Sequence, residues 1–157
     1  MAKTRTKVYF SISTLIQSFT TDAVAREIGE SVREEARSLI SRGQSPVRGE
    51  RRFAQYKNRE TYPGKLKPAV PVNLELSGDM LNSLAFQRRG DTVDFGFLAG
   101  TPRDVMARAQ AHQEGTDKMA ARPMIPAAGQ EWAVSIVRKL KDVYSRRLQD
   151  IIKKSNS

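Results

Sequence analysis

Two long segments of this chain repeat apolar residues every three or four positions, the spacing of an amphipathic helix. In residues 22–41 the repeating positions are Val24, Ile28, Val32, Ala36, Leu39 and Ile40. In residues 128–152 they are Trp132, Ile136, Leu140, Val143, Tyr144, Leu148 and Ile151. Each segment predicts a helix with one buried face, with Trp132 in the core and Gly43 ending the first helix. The fold must therefore cover two helical faces.

The other periodic segments are short, and three of them alternate apolar and polar residues as strands do. Strands are predicted at 7–13, 83–89 and 92–98, with Gly90 and Asp91 in a tight turn between the last two. Short helices are predicted at 76–85 and 103–113. A lone hairpin is marginally stable, so we expect the N-terminal strand to join it. The predicted class is α+β, a small antiparallel sheet packed against two long amphipathic helices.

The length of 157 residues predicts a single domain, 1–157, in which 153–157 form a flexible tail. Residues 43–75 are predicted to be a long extended loop, because glycines and prolines interrupt any helix or strand pattern. A loop this long is uncommon in a compact domain unless it is functional. Its large side chains Phe53, Tyr56 and Tyr62 should dock on the chain's own core or on a neighbouring subunit. We favour the neighbour for part of the loop.

The net charge of +10 is concentrated in two places. Residues 42–67 carry eight basic and two acidic side chains, and residues 138–157 carry seven and two. Basic clusters of this kind meet nucleic acid, acidic protein or solvent. In the loop, the candidates for contact with DNA or an acidic partner are Arg48, Arg51, Arg52, Lys57 and Arg59.

Few residues in this sequence suggest a catalytic or metal-binding site. The chain has no cysteine, which excludes disulfides, thiolate metal sites and a cysteine nucleophile. His112 is the only histidine, and a catalytic zinc usually takes three protein ligands. Asp91 and Asp94 flank the predicted hairpin turn and are expected to face solvent. We therefore expect no enzyme activity, no cofactor and no metal site.

Targeting and membrane signals are also missing from the pattern. Residues 1–20 lack the continuous apolar region of a signal peptide. No stretch approaches the ~20 apolar residues of a membrane span, so no membrane partner is expected.

Three segments, taken in order, carry a more specific pattern. The first is Ser45-Pro46-Val47-Arg48-Gly49, continuing to Phe53-Ala54-Gln55-Tyr56-Lys57 and Tyr62-Pro63. The second is Pro71-Val72-Asn73-Leu74, then residues 76–84 and the hairpin with Phe95-Gly96. The third is residues 109–116, AQAHQEGT, followed by Ala121-Arg122-Pro123-Met124-Ile125-Pro126-Ala127. Over roughly residues 43–130 the chain resembles the tail-completion and neck (head–tail joining) proteins of long-tailed bacteriophages.

The resemblance implies a structural virion protein at the head–tail junction: a tail-completion, tail-terminator or neck protein. Such a protein assembles as a ring, which we expect to be a hexamer, and joins or caps the tail tube. Its implied partners are further copies of itself, the tail tube and neck or portal-side proteins, with DNA passing through the ring. It would be made in the host cytoplasm and located in the virion. The alternative function is a basic nucleic-acid-binding accessory protein.

The third segment supplies the candidate contact residues Arg122, Pro123, Met124 and Ile125. Proline holds the residue before it extended, so Arg122 could point at a carboxylate of an adjacent subunit. The family often has phenylalanine after Arg-Pro, whereas this chain has Met124, which fills an apolar socket flexibly. Substitution of Arg122 or Met124 is then expected to impair assembly and leave the monomer folded. In the alternative, these loops cover their own subunit's core.

Overall fold

The computed structural model describes residues 9–13, 22–54, 78–90 and 92–156. In chain order the elements are β1 (Tyr9–Ser13), α1 (Asp22–Ser41), α2 (Asp79–Asn82), β2 (Ala85–Arg89), β3 (Thr92–Gly96), α3 (Arg103–Glu114) and α4 (Val134–Ser155). The predicted α+β class and the small antiparallel sheet are confirmed.

Helix α1 begins and ends at the predicted residues, because its apolar stripe and its stop signal are both local. Ile28 and Ile40 on the stripe are fully inaccessible to solvent. Gly43 follows the helix with a φ of 73°. Its N–H donates to the Ile40 carbonyl at 2.8 Å, and the Gln44 N–H donates to the Leu39 carbonyl at 2.9 Å. This pair of bonds is a Schellman ending, for which glycine is the least strained residue.

The sheet has the order β1-β3-β2, with antiparallel pairing on both sides of the central strand. The N-terminal strand therefore joins the hairpin, as predicted. Phe86 of β2 lies opposite Phe95 of β3, and both belong to the apolar face that meets α1. Gly29 is the point of closest approach, because a Cβ there would overlap the Phe86 ring. A glycine in the middle of α1 is thus explained by packing rather than by helix propensity.

Helix α4 packs against α1 in an antiparallel pair. Lys139 Nζ lies 3.1 Å from a Glu35 carboxylate oxygen, and Arg147 Nη2 lies 2.6 Å from Glu27. Burial raises the pKa of Glu35, but hydrogen bonds from Lys139 and Ser135 outweigh it, so this pKa is below its usual value. The two ion pairs show that the helices run in opposite directions, since the later residue of α4 pairs with the earlier residue of α1.

The start of α4 differs from the prediction. The helix begins at Val134, about six residues later than expected, and Trp132 lies outside it. Trp132 instead forms an isolated β-bridge with Val47, so the chain is extended where it enters the core. The side chain is nevertheless in the core, at 5% exposure, with its ring edge-on to Phe95 at a centroid distance of 5.6 Å.

The C-terminal end also differs, since α4 continues through Ser155. Lys153 and Lys154, placed in a flexible tail by the sequence, belong to its last turn. Lysines near a helix C-terminus interact favourably with the helix dipole, which is a physical reason for the longer helix.

Only residues 43–54 of the predicted extended loop lie in the described structure. They fold back on themselves rather than extend. Gln44 and Arg52 form an antiparallel bridge, and the Phe53 N–H donates to the Gly43 carbonyl at 2.9 Å. The rest of the predicted loop, residues 55–75, lies outside the described residues.

Candidate functional site

The segment after α3 reverses direction at Gly115 and runs back along that helix. Gly115 has φ 76° and ψ 176°, a conformation essentially restricted to glycine. A Cβ here would lie 2.8 Å from the Ala121 nitrogen and 2.9 Å from the Met119 oxygen. The returning chain is tied to α3 by the Arg122 N–H, which donates to the His112 carbonyl at 2.6 Å. The chain therefore reverses at Gly115 in a conformation and at a spacing that only glycine fits.

The side-chain amide of Gln113, in the last turn of α3, holds this returning chain at two consecutive residues. Its Oε1 accepts hydrogen bonds from the backbone N–H groups of Met124 at 2.9 Å and Ile125 at 3.1 Å. Its Nε2 donates to the Ile125 carbonyl at 2.6 Å. One side chain thereby satisfies three backbone groups of two buried residues, which would otherwise lose water without replacement.

Two further side chains join the returning chain to the segment that follows α1. The Ser45 hydroxyl donates to the Pro123 carbonyl at 2.6 Å and accepts from the Val47 N–H at 3.1 Å. Arg122 is only 1% exposed, and its Nε donates to the Ala54 carbonyl at 2.9 Å. A buried guanidinium is tolerated where hydrogen bonds replace its hydration. Arg122 is therefore a polar crosslink between two loops of the same chain.

The segment that follows α1 also fixes the entry into α4. The Arg48 N–H donates to the Glu131 carbonyl at 2.8 Å, and the Ala133 N–H donates to the Pro46 carbonyl at 2.7 Å. The ends of α1 and α3 and the start of α4 thus form one hydrogen-bonded unit. We call this unit the loop clamp, and we define it by the side chains of Ser45, Gln113 and Arg122 with the backbone groups that they bind.

The loop clamp changes the interpretation of the predicted subunit contacts. Phe53, Met124 and Ile125 lie in the hydrophobic core, each at most 6% exposed, and Arg122 is buried as well. The structure places these four side chains in the chain's own interior, which is the alternative that the sequence left open. Substitution of Arg122 or Met124 is now expected to destabilise the monomer itself.

The remaining predicted contact residues are Pro123, Tyr56 and Tyr62. Pro123 is half-buried, and its contact with a neighbouring subunit stays a prediction. Tyr56 and Tyr62 lie outside the described residues, so their predicted contacts stay predictions too.

His112 is partly buried near two cations, Arg122 and Arg108. Burial is the largest cause that lowers its pKa, and the charges of Arg122 and then Arg108 lower it further, to about 4. The imidazole is therefore neutral at physiological pH. Within the described part of the chain, its Nδ1 has no hydrogen-bond partner. The loop clamp uses the backbone carbonyl of His112 rather than its ring.

Asp94 does not face solvent, contrary to the prediction. It lies in the middle of the central strand β3, and its side chain is only 2% exposed. Arg89 Nε lies 3.2 Å from its carboxylate. Val93, Asp94 and Phe95 are consecutive and all buried, so both faces of β3 are covered at this point.

The loop arginines occupy two kinds of environment. Arg48 forms an ion pair with Glu131 on the surface. Arg51 and Arg52 are exposed, and neither forms a salt bridge with a described residue. Lys57 and Arg59 lie outside the described residues. Among the described candidates for contact with DNA or an acidic partner, Arg51 and Arg52 are thus the two that are exposed and form no salt bridge with a described residue.

Sequence reasoning gave no role to Ser45 and Gln113, although both belong to the segments that carry the resemblance. Their bonding partners lie 78 and 11 to 12 residues away along the chain. A local sequence pattern cannot show contacts between residues that far apart. The one sequence signal for this arrangement is Gly115, at which the chain reverses after α3.

The chain has no match among models of known protein families, curated proteins or solved structures. Within the described residues, no group of three or more His, Cys, Asp or Glu side chains could hold a metal ion. The helices described here include none with the length and apolarity needed to cross a bilayer.

Proposed function

We propose that this chain is a non-enzymatic structural protein of a bacteriophage head–tail junction. In this proposal it completes, terminates or joins the tail as a ring of six copies. It contacts the tail tube and the neck or portal-side proteins, and DNA passes through the ring. The proposal rests on the ordered resemblance of three segments, and one structural observation supports it.

That observation is the meeting of two of the three segments. Ser45 and Ala54 belong to the first segment, and each is hydrogen-bonded to the third, at Pro123 and Arg122. The partners are 78 and 68 residues apart along the chain. Two sequence segments that bond to each other form one structural unit, and neither can form it alone. We therefore expect both segments to occur in one chain and in the same order. The loop clamp therefore gives a physical reason for the combined pattern.

The loop clamp also supports a structural role for the third of these segments. The polar groups of Gln113 and Arg122 are engaged by backbone atoms of the same chain. A ring closes through two different complementary surfaces on each subunit. Since four predicted contact side chains are internal, we assign the ring contacts to residues around the loop clamp that are at least partly accessible to solvent. Pro123 is the first of these.

The experiment is native mass spectrometry with negative-stain imaging of the purified chain, alone and with isolated tail tubes. We expect a closed oligomer near six times the 17.6 kDa chain mass, or a ring seated on the end of the tube. A chain that stays monomeric in both conditions and leaves the tubes undecorated would overturn the proposal.

The exposed pair Arg51 and Arg52 favours a second candidate, a basic nucleic-acid-binding accessory protein. Phosphate contacts make binding fall steeply with salt. Arg51→Glu with Arg52→Glu should weaken duplex binding and lower the salt slope by about 2, one for each contact. Arg103→Glu with Lys118→Glu is a matched control, because both residues are exposed cations that lie outside residues 43–75 in the sequence. If the two double variants behave alike, or if no duplex binds at low salt, this candidate is wrong.

A further inference from the structure

The chain that follows α1 folds back so that three arginines come together. Gln44 and Arg52 form an antiparallel bridge, and the Ser45 N–H donates to the Arg51 carbonyl at 2.9 Å. Arg42 comes two residues before Gln44 in the sequence. Two residues span at most about 7 Å and bridged Cα atoms lie about 5 Å apart, so the Cα atoms of Arg42 and Arg52 are at most about 13 Å apart. We call Arg42, Arg51 and Arg52 the arginine patch.

The guanidinium groups of the arginine patch are accessible and unpaired. All three residues are exposed, and none forms a salt bridge with a described residue. The Arg42 Nε donates to the Ser38 carbonyl at 3.1 Å. Its two Nη groups and the guanidinium groups of Arg51 and Arg52 form no hydrogen bond with the part of the chain that the structure describes. Since each guanidinium carries five N–H donors, most donors of the patch are available to a ligand.

The charge around the arginine patch is predominantly positive. Residues 42–54 contain four arginines and one acidic residue, Glu50. The fourth arginine, Arg48, is already paired with Glu131 and does not belong to the patch. Within this segment, three cations without an ion pair to any described residue therefore face a single anion. An anionic partner is the kind of ligand that such a surface attracts.

The same surface offers little apolar area to a protein partner. Val47 and Phe53 are the large aliphatic and aromatic side chains of residues 42–54, and they are only 1% and 6% exposed. Among the exposed large hydrophobic residues of the described structure, Val134 alone belongs to the end of α4 that meets this loop. The centre of a protein–protein interface is apolar, whereas a nucleic-acid interface is polar and positively charged. These observations favour nucleic acid over an acidic protein.

We propose that Arg42 joins Arg51 and Arg52 in binding the phosphate backbone of duplex DNA. The inference rests on the second candidate function, to which it adds a contact from the end of α1. A guanidinium binds phosphate through two parallel N–H···O hydrogen bonds, which a lysine cannot reproduce. Contacts to phosphate carry no base information, so the arginine patch binds DNA without sequence preference.

The test measures the affinity of the purified full chain for a fluorescein-labelled duplex of about 20 base pairs, by fluorescence anisotropy between about 50 and 200 mM KCl. Each phosphate contact adds about 0.9 to the slope of log affinity against log salt. Arg42→Gln should therefore lower the slope by about 0.9. Over this fourfold range of salt, the unaltered chain should lose about 3.5 times more affinity than the variant.

Two control variants separate a phosphate contact from other effects. Arg26→Gln should leave the slope unchanged, because Arg26 is an exposed arginine of the same helix that lies about 24 Å earlier along its axis. Arg42→Lys should keep the slope, since it keeps the charge while it loses the Nε bond to Ser38. Circular dichroism and melting should show intact folds, because the substituted residues are exposed.

The outcomes distinguish this inference from the function on which it rests. If the unaltered chain binds no duplex, or if Arg51→Glu with Arg52→Glu has no effect, the second candidate function is wrong and the inference with it. If binding depends on Arg51 and Arg52 while Arg42→Gln behaves like Arg26→Gln, the inference alone is wrong. An equal loss of slope in Arg42→Lys and Arg42→Gln would also overturn it, because the effect would then be structural.

A competition experiment separates DNA from an acidic protein. Duplex DNA carries one charge per about 1.7 Å, which is about twice the density along an extended polyglutamate chain. A glutamate peptide of about 20 residues should therefore displace the labelled duplex much more weakly, per charge, than unlabelled duplex does. Equal displacement by the two competitors would assign the arginine patch to an acidic protein and overturn the inference.

Discussion

Replacing Gln113 by alanine tests the loop clamp at its most heavily bonded side chain. The change removes three hydrogen bonds to backbone groups of Met124 and Ile125. A typical internal hydrogen bond contributes about 1 kcal/mol, and a buried group left unpaired costs about 1–3 kcal/mol. Because Gln113 is half-buried, water can reach part of the space, so we expect a total loss of about 3 kcal/mol. For a chain of this length that loss lowers the melting temperature by about 6–12 °C.

Gln110→Ala is the matched control for this prediction. Gln110 lies one turn earlier on α3, and among the described residues its amide hydrogen-bonds only to Glu114, at 3.4–3.5 Å. Both substitutions make the same small gain in helix propensity, so their difference isolates the loop clamp. Urea unfolding at pH 7 provides the two free energies of unfolding. If the variants unfold within about 0.5 kcal/mol of each other, a value typical of surface changes, the loop clamp does not stabilise the fold as argued.

The other predictions concern the same core and loops. Gly115→Ala should destabilise the chain by more than about 2 kcal/mol, because strained backbone and close contacts add together. Gly129→Ala, which has a similar φ but open space, should cost only about 1 kcal/mol in the same urea assay. Gly29→Ala should lower the melting temperature despite better helix propensity, and adding Phe86→Leu should recover part of the loss; an unchanged melting temperature in the single variant would contradict the packing. The folded-state pKa of His112, about 4, is below the 6.5 of the free side chain, so the unfolded chain binds the extra proton first. Its contribution to stability is therefore present above pH 6.5 and lost as the pH falls toward about 4. His112→Gln should flatten the free energy of unfolding across that range, and an equal slope in both proteins would show that other groups cause it.

The parts of the fold that the sequence predicted correctly depend on neighbours along the chain. The bounds of α1 follow from one apolar stripe and one glycine, and the hairpin follows from alternation around Gly90. The third strand was predicted from a stability requirement, since two strands alone would be marginal. For α1 and the hairpin the determining contacts are local. For the third strand the alternative, a sheet of two strands, would be only marginally stable.

The errors come from side chains whose partners are distant in sequence. Trp132 and Ile136 are four residues apart, as on a helix, yet Trp132 enters the core from an extended segment bridged to Val47. Periodicity reports which residues are buried, and it does not distinguish a helix from an extended chain with one large buried side chain. Arg122 was misplaced for the same reason, because its carbonyl acceptor at Ala54 is 68 residues away.

The two ends of the α1–α4 pair are held together by different kinds of bond. At one end, the backbone after α1 is bonded to the residues before α4, and Lys139 holds Glu35 nearby. At the other end, the last described ion pairs are those of Glu27, after which α4 continues with its apolar face exposed. The first end is therefore joined through backbone hydrogen bonds, whereas the second is held by side chains that are 24% to 65% exposed and contribute little to stability.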